Sequence, residues 1–207
     1  MMEIKVLSDI YMDENTYFII SNGNAIVIDP GSKADDIIKF AGDIKIKYIF
    51  LTHCHYDHIN GVEELKEKTG AEICATEECC ENIKNPLINL SGAWLDYEIK
   101  ISSVSHILSE EKDFIFDDIK IKIIKTPGHT NCSACFLAEN SLFSGDTLFL
   151  RTTGRWDLPT GNEDILKKSI LNKLYALNDD IIVYPGHGDK TTIGYEKKFN
   201  FLVKKEG

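Results

Sequence analysis

Thr52-His53-Cys54-His55-Tyr56-Asp57-His58 places three imidazoles and one carboxylate within six residues. Ahead of it runs Tyr48-Ile49-Phe50-Leu51, an apolar run that reads as a buried strand. Behind it, Gly61 to Lys68 reads as a helix. A chain with this string must fold so that a strand exit, a loop and a helix start hold several polar donors together, a rigid mounting for a metal ion. A folded loop can turn His53 and His55 toward one ion and Asp57 and His58 toward a second. Neutral imidazole and carboxylate suit borderline divalent metals such as zinc, iron or manganese.

The other histidines extend the pattern. Of six in the chain, His129 lies in Thr126-Pro127-Gly128-His129-Thr130 and His187 in Tyr184-Pro185-Gly186-His187-Gly188. Both turns follow β-branched runs, Ile119 to Ile124 and Ile181 to Tyr184, and read as loops at strand ends. Asp146, in Ser144-Gly145-Asp146-Thr147, follows the strand-like run Ser141 to Phe143. Taken singly, each is more simply a turn residue bonded to backbone. Five histidines and two aspartates at strand exits point instead to a shared centre. His106 lacks such a setting and is expected to have a surface or structural role.

The ordered set Thr-His-x-His-x-Asp-His, Pro-Gly-His-Thr, Gly-Asp-Thr and Gly-His-Gly resembles the metallo-β-lactamase-fold hydrolases, in particular the short single-domain glyoxalase II-like (hydroxyacylglutathione hydrolase-like) branch. The likeness runs from Asn15-Thr16-Tyr17 through Ile28-Asp29-Pro30-Gly31 to His187. It implies an α/β fold, an αββα sandwich of two mixed β-sheets with helices on both outer faces. It implies that His53, His55 and His129 hold one divalent ion and Asp57, His58 and His187 another, with Asp146 bridging. Zinc is the first expectation, iron or manganese the others. The implied reaction is hydrolysis of a 2-hydroxyacyl thioester by a hydroxide held between the ions, with Asp57 both binding metal and orienting the nucleophile. Asp29 and Thr52 are placed to orient ligand imidazoles or, equally, to cap strand ends.

Two features weigh on the substrate. Gly207 closes the chain twenty residues after His187, too few for the helical extension that supplies glutathione-binding residues in two-domain glyoxalase II proteins. A single domain over 1–207 is therefore expected. The segment Leu150 to Pro159 carries a Gly-Arg-x-Asp pattern. Arg151 or Arg155 can grip a substrate carboxylate, although an internal Arg155–Asp157 pair is the favoured reading. That pattern also resembles persulfide dioxygenases with a single iron, the leading alternative. Lactone or other ester hydrolysis and a non-catalytic binding protein rank below. A flavin-linked diiron reductase is disfavoured because that branch replaces the second histidine of the string, here His55.

The net charge of −10 argues against a nucleic-acid partner; Lys197-Lys198 and Lys204-Lys205 read as a solvated helix face. A small-molecule substrate is expected. No run is long enough to span a bilayer, and no leader pattern opens the chain, so the expected location is the cytoplasm. The six cysteines are then expected to be reduced and buried, Cys54 pointing away from the metals and Cys132-x-x-Cys135 packing from turn to strand. No sequence feature specifies an oligomeric state.

The remaining pattern reads as strands at Glu3 to Leu7, Thr16 to Ile20 and Ala25 to Asp29. The last two are joined by a Ser21-Asn22-Gly23-Asn24 turn. A helix is expected from Lys33 to Ala41, a strand at Lys45 to Leu51, another at Ala71 to Ala75, and a helix at Glu77 to Ile83. Asn85 to Ser103 is irregular; in glyoxalase II-like proteins the matching region tends to lie over the site and shape its mouth, where Trp94 and Tyr97 can line a channel, although core packing is expected for at least one of them. A hairpin follows at Asp113 to Ile124, then a helix at Glu163 to Leu174 and a last one from about Gly194.

Overall fold

The computed structural model describes residues 2–9 and 13–204. The first half contains strands β1 (Glu3–Ser8), β2 (Asn15–Ser21), β3 (Asn24–Ile28), β4 (Lys45–Phe50), β5 (Glu72–Thr76) and β6 (His106–Leu108). They form one sheet in sequence order. β1 to β3 pair antiparallel, and β3 to β6 pair parallel. Helices α1 (Ala34–Ala41), α2 (Tyr56–Ile59), α3 (Val62–Thr69), α4 (Glu77–Asn82) and α5 (Ser91–Trp94) lie between these strands in sequence.

The second half contributes β7 (Phe114–Phe116), β8 (Ile119–Lys125), β9 (Ala134–Ala138), β10 (Ser141–Gly145), a small ribbon of β11 (Leu148–Phe149) and β12 (Thr152–Thr153), then β13 (Ile182–Pro185) and β14 (Thr191–Thr192). Its main sheet runs β14-β13-β10-β9-β8-β7, with β10 and β13 parallel and the rest antiparallel. Helices α6 (Glu163–Ser169) and α7 (Ile193–Phe199) complete it.

Alternation along β2 and β3 shows why the sheets stack. Tyr17, Ile19, Ile26 and Ile28 face Phe116, Ile121, Ile123, Phe136 and Phe143 across the inter-sheet core. Phe18, Ile20, Ala25 and Val27 face the other way, against Ile37 of α1 and Leu65 of α3. A third cluster packs Leu142 and Val183 against Leu166, Ile170 and Ile193. Helices thus cover both outer faces, the αββα sandwich expected from the sequence. Each fully buried side chain such as Phe50 or Phe136 contributes about 2–3 kcal/mol.

Local signals set the element ends. Asn22 and Gly23, at φ 48° and 75°, supply the two left-handed residues of the β2–β3 hairpin. α1 and α3 open on acidic residues and end on lysines, matching the helix dipole. Asn162 and Thr192 cap α6 and α7 through their side chains.

Several expectations need correction. Asp29 is not the last residue of β3 but leaves it at φ 50°, because its carboxylate turns toward Thr52. The Glu163 to Leu174 helix is α-helical only to Ser169 and continues as a wider π-turn over Ile170–Leu174. α7 ends at Phe199, so Lys204 is not on a helix face; Lys205 lies outside the described residues. Trp94 and Tyr97 are both about half exposed, so neither is a core residue. No helix among the described residues is long and apolar enough to cross a membrane.

Candidate metal centre

The strand ends of both sheets meet along one edge. Asp29 follows β3, His53 and His55 follow β4, His129 follows β8, Asp146 follows β10, and His187 follows β13. β3 and β4 run parallel, as do β10 and β13, so these exits open to the same side. Between His55 and Asn60 the chain makes one extra helical turn, α2, with His55 as its N-cap. That turn carries Asp57 and His58 on toward His187, while the His58 ring stays 4.2 Å from the His53 ring, centroid to centroid. A four-residue helix has no periodicity to read, so α2 carries no separate signal in the residue pattern.

Two groups of candidate ligands result, each with its donor atoms within 4.8 Å of one another: His53, His55 and His129; and Asp57, His58 and His187. In the first, His55 Nδ1 and His129 Nε2 lie 2.9 Å apart. In the second, Asp57 Oδ2 lies 3.3 Å from His187 Nε2. Asp146 sits between them, with Oδ1 3.3 Å from His58 Nε2 and Oδ2 3.5 Å from His129 Nε2. All seven residues singled out in the sequence are therefore brought to one place. A third grouping, Asp29 with His53 and His58, is a poorer cation site, because the Asp29 oxygens already accept from Thr52 N, Thr52 Oγ1 and His58 Nδ1.

Hydrogen accounting tests whether a cation fits. Asp29 accepts the Thr52 hydroxyl proton, so His53 Nδ1–H donates to Thr52 Oγ1 at 3.0 Å. His58 Nδ1–H donates to Asp29 Oδ2 at 3.0 Å. His129 Nδ1–H donates to the Arg155 carbonyl at 2.7 Å, and His187 Nδ1–H to the Asp13 carbonyl at 2.8 Å. With Nδ1 as the donor, each of these rings in its metal-binding form presents a bare Nε2, and these nitrogens face one another and two carboxylates. His53 Nε2 and Asp146 Oδ1 are buried without a hydrogen bond. Lone pairs gathered in this way are stabilised by positive charge at their centre. The residues fit divalent ions.

The same crowding moves the proton affinities. Burial and the neighbouring His58 push His53 well below the usual imidazole range, and burial takes His55 down to about 3. Burial opposes charge on His58 too, but the carboxylates of Asp146 and Asp57 outweigh it and raise His58 well above its ordinary value. His187 is raised in the same way, chiefly by Asp57 against burial. Burial works to raise Asp146 and Asp57; His58 beside both outweighs it and holds them low.

Close approach fixes the surrounding backbone. A Cβ on Gly186 would stand 2.4 Å from Asp146 Oδ1 and 2.6 Å from His58 Cε1. Gly145 turns at φ 47°, where a Cβ would meet Thr52 Oγ1 at 2.3 Å. Any side chain at either position displaces a candidate ligand or its support.

The other sequence candidates are placed as follows. Asp29 and Thr52 bond ligand rings and also tie the ends of β3 and β4 together. Arg155 reaches the cluster through its carbonyl, while its guanidinium is paired with Asp157 at 2.7 and 2.8 Å. Arg151 lies over the Tyr195 ring and donates to its hydroxyl. His106 is exposed and bonded to Glu72. Cys54 and Cys132 pack in the helix-side core of the first sheet and Cys135 in that of the second, so the C-x-x-C sulfurs face different cores. All six thiols are free and buried.

One feature beside the site carried no sequence signal. Glu14 is fully buried, its carboxyl held well above the ordinary range by burial, and its Oε1 is unpartnered. The aromatic pair Tyr56 and Trp94, 5.9 Å between centroids, and the Tyr97 hydroxyl bonded to Asn60 place the 94–97 segment against α2.

Comparison with known proteins agrees with this geometry. A curated relative, the hydroxyacylglutathione hydrolase GloC of Haemophilus influenzae, is 35% identical over 188 residues, covering 88% of this chain and 89% of the relative. The solved structure of BLEG-1, a B3 metallo-beta-lactamase, superposes with a TM-score of 0.92 at 29% identity, covering 97% and 99% of the two chains. TTHA1623, solved in a di-iron-bound form, gives a TM-score of 0.84 at 25% identity, covering 96% and 100%. The family model for the metallo-beta-lactamase superfamily matches residues 12–187. With that match over most of its length, and with this cluster of strand-end histidines and aspartates, the chain belongs to the metallo-beta-lactamase superfamily of metal-dependent hydrolases.

Proposed function

We propose that this protein is a dinuclear metal-dependent hydrolase that cleaves small-molecule thioesters. The observation that carries the reading is the pair of three-residue donor groups with Asp146 between them. The similarity to a hydroxyacylglutathione hydrolase supports a thioester substrate, and the di-iron-bound form of TTHA1623 supports two ions.

His53, His55 and His129 would hold one ion and Asp57, His58 and His187 the other, with the Asp146 carboxylate available to both. Bound there, the ions supply Lewis acidity and a water of lowered pKa. The chain's own residues do the rest. Asp29 and Thr52 lock the His53 and His58 rings with their inner nitrogens bare. Asp57, the carboxylate of the second group, is half of an Asp57–His187 pair at the open side of the cluster, where it can accept a proton from the attacking water. Trp94 and Tyr97, beside α2, form an exposed aromatic rim that contacts the body of the substrate. A thiolate leaves readily, so no residue need protonate it.

The test is a panel of S-acyl thioesters, lactones and β-lactams with metal-loaded protein, thiol release being followed directly, beside an oxygen electrode with a persulfide. Metal-dependent thioester cleavage is expected. Oxygen uptake with a persulfide and no thioester cleavage would select the mononuclear-iron dioxygenase reading instead.

A further inference from the structure

His187 is the exception among the candidate histidines. Its side chain is 25% exposed, whereas that of His58 is fully buried. It stands on a turn between Gly186 and Gly188, the latter at φ 70°, so neither flanking residue has a side chain to pack. What fixes this turn comes from the other end of the chain. Asp13 O accepts from His187 Nδ1–H at 2.8 Å. Asn15 N donates to Gly186 O at 2.8 Å. Asn15 Nδ2 donates to Pro185 O at 3.2 Å and to Gly188 O at 2.9 Å, so one amide group spans the turn from both sides. Its Oδ1 accepts from Ser8 Oγ at 2.7 Å, which fixes the amide with its nitrogen toward the turn. The Tyr17 hydroxyl adds a bond to Pro185 O at 2.8 Å.

The same segment also touches the first-half loop. The Glu14 carboxyl occupies the space beside Gly31, where an added Cβ would stand 2.6 Å from Glu14 Oε2 and 1.8 Å from the Asp57 carbonyl. Residues 13–15 therefore lie between the loop carrying Asp57 and the turn carrying His187.

From this placement we infer that Asn15 is a positioning residue for the second ion: it clamps the 185–188 turn so that His187 meets Asp57 and His58. The inference rests on the dinuclear reading above. Among the described residues His53, His55 and His129 make no hydrogen bond to residues 13–15, and the clamped turn reaches the first group only through Gly145 and Asp146, so the first ion should depend far less on Asn15. An amide is required because both partners of Nδ2 are carbonyl oxygens. Asn15→Asp presents an acceptor to two acceptors, and Asn15→Leu presents none of the donors at similar volume.

The experiment titrates metal-free protein with zinc against a chromophoric chelator, for the wild type, Asn15→Leu, Asn15→Asp and the control Lys84→Ala, which removes an exposed ion pair with Glu81, with thermal melts of each. Loss of a supporting hydrogen-bond partner typically weakens metal binding by about 10–100-fold. That loss is expected at one site only in both Asn15 variants, the other site staying within about twofold, while Lys84→Ala binds two ions normally. In parallel, ring ¹⁵N–¹H spectra of the metal-free protein should show the His187 Nδ1–H in the wild type and its loss in Asn15→Leu. Equal weakening of both sites, or no weakening of either, overturns the inference. A wild type that binds one ion overturns the dinuclear reading instead; the His187 ring signal then decides the role of Asn15, and its persistence in Asn15→Leu rejects that role.

Discussion

The two donor groups share a loop but differ in kind. His53, His55 and His129 are three imidazoles, each under 4% exposed, with outer contacts made from His53 to Thr52 and from His129 to the Arg155 carbonyl. Asp57, His58 and His187 include a carboxylate, lie partly open at Asp57 and His187, and depend on a turn held from the opposite end of the chain. Packing defines the first group; charge and a few backbone bonds define the second. The first group is therefore the stable anchor. The second is the half of the site that substrate, protons and chelators reach.

Asp146→Asn is the most damaging way to break this comparison, because one carboxylate serves both groups. Thioester cleavage should fall by more than the ~10–100-fold typical of removing a supporting partner, and metal content measured by plasma mass spectrometry should drop at both sites. Asp29→Ala comes next. It removes the acceptor that orients both His58 and, through Thr52, His53, so both sites should weaken by about 10–100-fold. An effect on only one would show that the groups are oriented separately.

Acid separates them more gently. His58 and His187 have raised proton affinities and His55 a lowered one, about 3. Protons compete with metal for imidazole, so on lowering pH the second ion should leave first, seen as a two-step loss in dialysed samples. In the metal-free protein the signs oppose. His55 contributes stability above its unfolded value near 6.5 that is lost as pH falls toward 3. His58 contributes stability below 6.5 that is lost as pH rises through its raised folded value. Thermal melts of the metal-free protein across pH check both limbs. The smallest effect is expected at the rim: Trp94→Ala should raise KM for an acyl thioester about 3–10-fold, equivalent to about 0.5–1.5 kcal/mol, with kcat and metal content unchanged.

Much of this was legible in the residues. The Asn22-Gly23 turn, the alternation of β2 and β3, and the β-branched runs before each Pro-Gly-His turn specify strands and their exits through local chemistry. The donor string stood out because polar side chains of one type cluster at those exits. Contacts that join distant segments leave no such trace. Asn15 and Pro185 are 170 residues apart, and nothing in Glu14-Asn15 marks one as buried acid and the other as a clamp. The left-handed turn at Asp29 was hidden because its cause, the Thr52 partner, lies 23 residues on. At least one of Trp94 and Tyr97 reads as core because aromatic residues usually bury; the exposure of both follows from the irregular segment that carries them over α2. The wider turn at Ile170 has a helical pattern, which periodicity cannot tell from an α-helix.

The most direct measurement is anomalous X-ray scattering from crystals of metal-loaded protein. Two peaks are predicted, one enclosed by His53, His55 and His129 and one by Asp57, His58 and His187, with the Asp146 carboxylate between them. A single peak in metal-saturated crystals, or peaks away from these side chains, would contradict the dinuclear centre.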